Sequence, residues 1–312
     1  MRAVLPAIAR GLLEQHLPAD LDVAWFASPA EANAGIADAD IAWVDMQPTR
    51  LVAEAIHAAG PRLRWVSTIY AGLDAFPLDL LRARKVTVTN GAGINAVAVA
   101  EYAVMGVLAA AKRFDQVVQA QGRREWLSDA PGKTELDGTR ALVIGYGTIG
   151  RMIGERLRAF GVDVTGVTRT GRDRTLLPDE WQSRLAEYDW VILAAPSTDH
   201  TRAMIGADEL AAMKPGAWLI NIARGDMIDD DALLAALQGK RLGGAFLDPT
   251  HPEPLAPDHP LWTAPNCMIT MHLSGRSQTR MFPRAATLFL SNLAAFQAGT
   301  PMRNVVDLDA GY

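Results

Sequence analysis

The sequence predicts an α/β fold: two doubly wound parallel-sheet domains, each with helices on both faces of its sheet. Three observations predict it. Short apolar runs alternate with helix-period segments through residues 1–92. After a long proline-free stretch, a second series of the same kind runs through residues 141–271. That second series opens on a glycine-rich turn between an apolar run and a helical pattern. Strands alternating with helices imply parallel sheets covered on their faces. A length of 312 residues suits two domains. It also allows a sizeable core without disulfides or metals.

Taken in order, the first twenty residues, MRAVLPAIARGLLEQHLPAD, carry helical amphipathic character. They lack a basic-then-apolar leader with a small-residue cleavage site. Strands are expected at 22–26, 41–46, 65–70 and 86–90, with helices such as 50–59 and 78–84 between them. Residues 95–122 contain no proline and read as one long helix. Its first half is apolar nearly all round, so it is buried or packed against another subunit. A turn-rich stretch, 128–138, follows. Six more strands are expected at 141–145, 162–168, 190–195, 217–223, 244–248 and 267–271. Most are continuous apolar runs, as strands buried on both faces require. Helices fit at 148–160, 179–188, 207–213 and 229–238. Residues 248–265 are rich in proline and acids and read as a long loop, and 279–298 as a last helix.

Composition removes several function classes. Hydrophobic residues make up 49% and charged residues 21%, so disorder is not the dominant state. A net charge of −5 gives no electrostatic footprint for nucleic acid. Cys267 is the single cysteine, so an intrachain disulfide or a cysteine metal cluster cannot form. No apolar run approaches the length that spans a membrane. A reducing, cytoplasmic setting is the simplest expectation.

The sequence ALVIGYGTIGRMIGERL places Gly145, Gly147 and Gly150 in a G-x-G-x-x-G pattern after a strand and at the start of a helix. The first glycine allows the tight turn. The second lets the backbone approach a pyrophosphate, and the third lets helix and strand pack. The helix start, with Thr148 and Ile149, offers free N–H groups and partial positive charge to phosphates. Gly91-Ala92-Gly93 lacks the third glycine and reads as a plain turn. A carboxylate at the tip of the next strand would bond the ribose hydroxyls of NAD. Here that tip is Thr168-Arg169-Thr170, with Arg172 close behind. Arginines and hydroxyls there suit the 2′-phosphate of NADP. Read blandly, they are solvated loop residues. NADPH/NADP is therefore the expected cofactor, with NAD possible.

Reducing a ketone needs a proton donor and a cation beside the carbonyl. Of six histidines, His16 and His57 read as surface residues, His200 lies in a polar loop, and His251 and His259 lie in the proline-rich loop. His272 ends the last strand, at the sheet edge where open α/β folds bind ligands. Arg224 also follows a strand and can grip a carboxylate bidentately. Position alone leaves a surface ion pair equally open. Glu253, in HPEPL, reads either as a solvent-facing loop acid or as a carboxylate folded back onto His272. In the second case it would favour the imidazolium.

Together these pieces resemble the D-isomer-specific 2-hydroxyacid dehydrogenases. The matching segments are STIYAGLDAF, GINAVAVAEYAVM, GYGTIG, INIARGDMIDDDALLAAL, LGGAFLDPTHPEPL, PDHPLW, TMHLSG and NLAAFQAGTPMRNVVD, from about residue 64 to the C-terminus. The resemblance implies a Rossmann dinucleotide domain, 95–275, inserted into a flavodoxin-like substrate domain formed by 1–94 and 276–312. It implies homodimers, with the helix beginning near Asn95 contributing. It implies that Arg224 orients the substrate, His272 donates the proton and Glu253 supports it. Asp248 matches the residue that bonds the nicotinamide amide, and Pro196 falls among the cofactor contacts. Ala71 and Gly72 match the loop whose N–H groups hold the substrate carboxylate, with Tyr70 beside them lining the pocket or simply packing.

The chain also departs from the family pattern. Met271 stands where proline usually precedes the histidine. Thr168-Arg169 replaces the acid of NAD-preferring members, which resembles the NADPH-dependent glyoxylate and hydroxypyruvate reductases. Glu253 argues against a formate dehydrogenase, where glutamine stands. The Tyr70 segment, without lysine or arginine, argues against a phosphite dehydrogenase. The expected function is reduction of a small 2-oxo acid to its D-2-hydroxy acid, with no metal required. The alternative is a dinucleotide-sensing binding protein without turnover. Trp43, Met46, Trp126 and Phe282 are further candidates for the side-chain pocket, though each reads more readily as core or interface than as a substrate contact.

Overall fold

The computed structural model describes residues 1–73, 75–171 and 175–309. The chain divides into two compact units, Met1–Asn95 with Gln278–Tyr312, and Ala96–Ser277.

The first unit holds five parallel strands: β1 (Arg2–Pro6), β2 (Asp22–Phe26), β3 (Ile41–Ala42), β4 (Trp65–Ser67) and β5 (Thr87–Thr89). Their order is β2-β1-β3-β4-β5. Helices α1 (Arg10–Leu13), α2 (Pro29–Ile36), α3 (Arg50–Ala58) and α4 (Leu78–Ala83) connect them. Strand β1 corrects the helical reading of the first twenty residues. Ala3, Val4 and Leu5 are fully buried, and β1 pairs with β2 on one side and β3 on the other. Only after Pro6 does the chain coil into a 3-10 turn and α1. A four-residue apolar run cannot be assigned by periodicity, and here the neighbouring strands decide it.

The last helix, α10 (Met281–Ala298), belongs to this unit because of its aromatics. Phe289 stacks on Trp65 at 5.1 Å and lies 5.5 Å from Trp43, and both tryptophans are buried. Trp43 and Phe282 are thus packing residues of this core, and Met46 packs against the cluster around Val44 and Val66.

The second unit holds six parallel strands: β6 (Arg140–Ile144), β7 (Asp163–Val167), β8 (Trp190–Leu193), β9 (Trp218–Asn221), β10 (Gly244–Leu247) and β11 (Cys267–Ile269). The order β11-β10-β9-β8-β6-β7 reverses direction at β6. That reversal is the point where such sheets open a crevice for ligands. Helices α5 (Ala96–Lys112), α6 (Phe114–Gly122), α7 (Thr148–Arg158), α8 (Ala207–Ala212) and α9 (Asp230–Gln238) complete the unit. Two cores cover the two faces of the sheet, one built on Leu142, Val191 and Leu219 and the other on Val143, Ile192 and Ile220.

Two helix expectations are corrected. The single helix over 95–122 is two helices, broken at Arg113 in the left-handed conformation (φ 49°). No glycine or proline marks the break. Tertiary contacts hold it: the Arg113 guanidinium bonds Asp115 and Asn266 and lies over the Trp218 ring. The helix expected at 179–188 is a 3-10 stretch over Gln182–Glu187. Among the described residues, no helix is long and apolar enough to cross a membrane.

Candidate active site

The predicted residues of the second unit lie just past the C-terminal ends of its strands. Gly145 follows β6, Thr168 follows β7 and Asp248 follows β10, each by one residue. Pro196 follows β8, Arg224 follows β9 and His272 follows β11, each by three. Because all six strands are parallel, one sheet edge carries them all.

At β6 the glycine-rich turn has three different glycines. Gly145 has φ +95°, and a Cβ there would lie 2.4 Å from the Ala195 nitrogen. Gly150 carries α7 against the turn, where a Cβ would come within 2.2 Å of the Gly145 carbonyl oxygen. Gly147 faces open space, with nothing within 4 Å of its Cβ position. The first hydrogen bond of α7 runs from Arg151 N–H to the Gly147 carbonyl. The N–H groups of Thr148, Ile149 and Gly150 therefore have no acceptor among the described residues. Unpaired amides at a helix start beside an open glycine fit a phosphate anion, so these residues fit a dinucleotide.

At the tip of β7 no carboxylate stands at residues 168–171. Thr168 Oγ1 pairs with Thr175 Oγ1 at 2.7 Å and accepts from Gly171 N–H, which fixes the bend. Arg169 and Thr170 are exposed. Arg172 lies outside the described residues. The Pro196 carbonyl accepts from Thr201 Oγ1.

Arg224, Glu253 and His272 come from separate loops. His272 Nδ1 lies 2.9 and 3.1 Å from the two Glu253 oxygens. Nδ1 therefore carries the proton toward Glu253, and Nε2 has no hydrogen-bond partner among the described residues. Glu253 Oε1 also accepts from Thr250 N–H. Burial works to raise the Glu253 carboxyl, but His272, Thr250 N–H and the Arg224 charge outweigh it. The carboxyl ends below its ordinary range. Of the two readings of Glu253, the structure shows the one folded back onto His272. Half-buried Arg224 is held by Asn221, whose side-chain amide donates to the Arg224 carbonyl. His16, His57, His200 and His251 are exposed, and His259 lies 4.0 Å from Asp230.

Two structural roles do not follow from the sequence. Gly225 lets the Thr250–His251 backbone lie directly on the Arg224 turn; a Cβ there would be 2.1 Å from the Thr250 carbonyl carbon. That close approach brings the Glu253 loop to Arg224. The second role is that of Asp248, which is fully buried. Its carboxylate accepts from Thr270 Oγ1 and from the N–H groups of Leu273 and Ser274, and its carbonyl accepts from His272 N–H at 2.7 Å. Asp248 thus braces the turn that carries the histidine. In that turn Met271 and His272 both have φ 55°, a left-handed conformation closed to proline. The turn in this conformation therefore requires a residue other than proline at 271.

In the first unit, Tyr70, Ala71 and Gly72 follow β4. Gly91 N–H donates to the Tyr70 carbonyl at 2.8 Å, and the Asn90 amide donates to the Ala71 carbonyl at 2.9 Å. The glycine turn at 91–93 thus anchors this loop. The N–H groups of Ala71 and Gly72 have no acceptor among the described residues. Gln47 donates to the Tyr70 hydroxyl. Trp126 lies in the second unit and is 96% exposed.

Comparison with known proteins agrees with this geometry. Residues 104–274 match the family described as D-isomer specific 2-hydroxyacid dehydrogenase, NAD binding domain. The human glyoxylate reductase/hydroxypyruvate reductase is 32% identical over 267 residues, covering 81% of this chain and 80% of its own. A D-isomer specific 2-hydroxyacid dehydrogenase family structure from Aeromonas salmonicida has TM-score 0.87 at 30% identity, covering 99% of each chain. An NADPH-dependent glyoxylate/hydroxypyruvate reductase from Sinorhizobium meliloti, solved with NADP and malonate, has TM-score 0.79 at 26% identity. It covers 99% of this chain and 97% of its own. On this family match and these relatives, the chain is a member of the D-isomer specific 2-hydroxyacid dehydrogenase family.

Proposed function

We propose that the protein reduces a small 2-oxo acid of the glyoxylate or hydroxypyruvate kind to its D-2-hydroxy acid, with NADPH preferred over NADH. One observation carries the proposal: Glu253 occupies Nδ1 of His272, and Nε2 has no partner among the described residues. An imidazole held in this way is oriented to give a proton from Nε2. Exposed Arg169 at the tip of β7, with no carboxylate at 168–171, supports the NADPH preference. So does the Sinorhizobium meliloti neighbour, which binds NADP.

When bound, the reduced nicotinamide supplies the hydride. Gly145, Gly147, Thr148, Ile149 and Gly150 hold its pyrophosphate. Arg169, with Thr168 and Thr170, would hold the 2′-phosphate, and Pro196 would lie at the nicotinamide end; Asp248, expected to bond the nicotinamide amide, is fully buried with its carboxylate taken up in bracing the His272 turn. Arg224, always charged, orients the substrate carboxylate and polarises its carbonyl. In the first unit, the Ala71 and Gly72 amides offer two donors for a substrate carboxylate, with Tyr70 beside them. His272 passes its Nε2 proton to the carbonyl oxygen as negative charge develops there. Glu253 stays ionised and stabilises the imidazolium.

The protein acts in the cytoplasm as a homodimer in this reading. An apolar surface on α5, α6 and the turn after α7 supports the second copy, with Met105, Phe114, Val118 and Phe160 all exposed. The test is His272→Ala. Turnover falls by about 10²–10⁴-fold while NADPH binding is kept. Full activity in that variant refutes the assignment.

A further inference from the structure

The loop that the proposed function gives to the substrate carboxylate is fastened by an acid outside the catalytic group. Asp45 follows β3, the strand beside β4, and is half-buried. It accepts three short hydrogen bonds: from Trp43 Nε1 at 2.7 Å, from Thr68 Oγ1 at 2.6 Å and from Ile69 N–H at 2.7 Å. Thr68 Oγ1 in turn accepts from Tyr70 N–H at 3.1 Å. Trp43 is locked in the core beside Phe289. A rigid chain therefore runs from core indole through Asp45 and Thr68 to the Tyr70 backbone.

Further backbone groups of the loop are also bonded. Thr68 N–H bonds the Thr89 carbonyl, and Gly91 and Asn90 hold the Tyr70 and Ala71 carbonyls. The Ala71 and Gly72 amides, which have no acceptor among the described residues, come directly after this fastened stretch. Burial pushes the Asp45 carboxyl up to about 6, against the three hydrogen bonds that work to lower it. An acid held at that cost, with two of its three donors in the loop, does more than fill space.

We propose that Asp45 is a positioning residue for substrate: through Thr68 and Ile69 it sets the aim of the Ala71–Gly72 amide pair on the 2-oxo acid carboxylate. This rests on the reading of the loop given under the proposed function. Asp45 touches no reacting atom, so its removal acts on substrate binding more than on the chemical step.

The test is steady-state kinetics of Asp45→Ala and Asp45→Asn with NADPH and glyoxylate or hydroxypyruvate, alongside thermal melting. In Asp45→Ala the KM for the 2-oxo acid rises by about tenfold or more while kcat stays within about threefold. Asp45→Asn turns its carbonyl toward Trp43 and Ile69 and keeps the KM within about threefold of wild type, the rescue expected of a shape-preserving acceptor. Should Asp45→Ala fail to fold, Asp45→Asn paired with Thr68→Ala, which cuts the same relay, reads the KM instead and shows the tenfold rise. A lowered melting temperature with unchanged KM in the folded variants overturns the proposal and leaves the functional reading intact. A wild-type protein that turns over no 2-oxo acid overturns the functional reading, and the proposal falls with it.

Discussion

Gly147→Ala adds one methyl group at a point where the folded protein has nothing within 4 Å. The backbone there is extended, with φ −80° and ψ −151°. The fold should therefore accept the change within about 1 kcal/mol, since alanine also restricts the unfolded chain. The same methyl at Gly145 or Gly150 meets backbone at 2.4 or 2.2 Å, and Gly145 adds a positive φ. Those two variants should lose several kcal/mol, on the order of a left-handed strain plus an overpacked contact. The cofactor sees the reverse ranking. The space over Gly147 is where a pyrophosphate would approach the Thr148, Ile149 and Gly150 amides. Losing one or two charge-assisted hydrogen bonds at about 2 kcal/mol each weakens binding by about thirtyfold to several hundredfold. Fluorescence titration with NADPH reads the affinity, and thermal melting reads the fold. Wild-type NADPH affinity in Gly147→Ala, or a melting temperature as low as that of the other two variants, would refute the reasoning.

Three further outcomes follow from the site. Glu253→Gln keeps an acceptor for His272 but removes the charge. Loss of that charge from the half-exposed pair, about 1 kcal/mol, should lower kcat/KM for reduction by about fivefold; wild-type kcat/KM contradicts the supporting role. Met271→Pro restores the residue usual in the family, yet φ 55° is closed to proline. Its kcat/KM should fall by about a hundredfold as the histidine turn shifts, and wild-type activity would show that the left-handed turn is not needed. Cys267 is pushed up to about 12 by burial and by the Asp230 charge. Native protein at pH 8 should resist alkylation that proceeds quickly in denaturant.

The long apolar strands and the glycine turn were legible because their signals are local. An apolar run bounded by turns, and glycines at fixed spacing, need no partner to be recognised. Strand β1 was not legible, because Arg2–Pro6 is short and runs straight into helix-forming residues. Its identity comes from β2 and β3 on either side. The break at Arg113 depends on Asp115, Asn266 and Trp218, two of them more than a hundred residues away. In the site, Arg224, Glu253 and His272 could be nominated by residue type and position at strand ends. The parts that hold them could not. Gly225 matters only because the Thr250 backbone lies against it, and Asp45 only because Thr68 and Ile69 reach it. Such residues carry no motif, and their signal is a contact made after folding.

The most direct test is the initial rate of NADPH and NADH oxidation by purified protein against a panel of 2-oxo acids, with the configuration of the product determined. The account predicts steady turnover of small 2-oxo acids, faster with NADPH, giving the D-2-hydroxy acid. Equal or faster rates with NADH would overturn the role of Arg169, and cofactor binding without turnover of any acid would contradict the reductase itself.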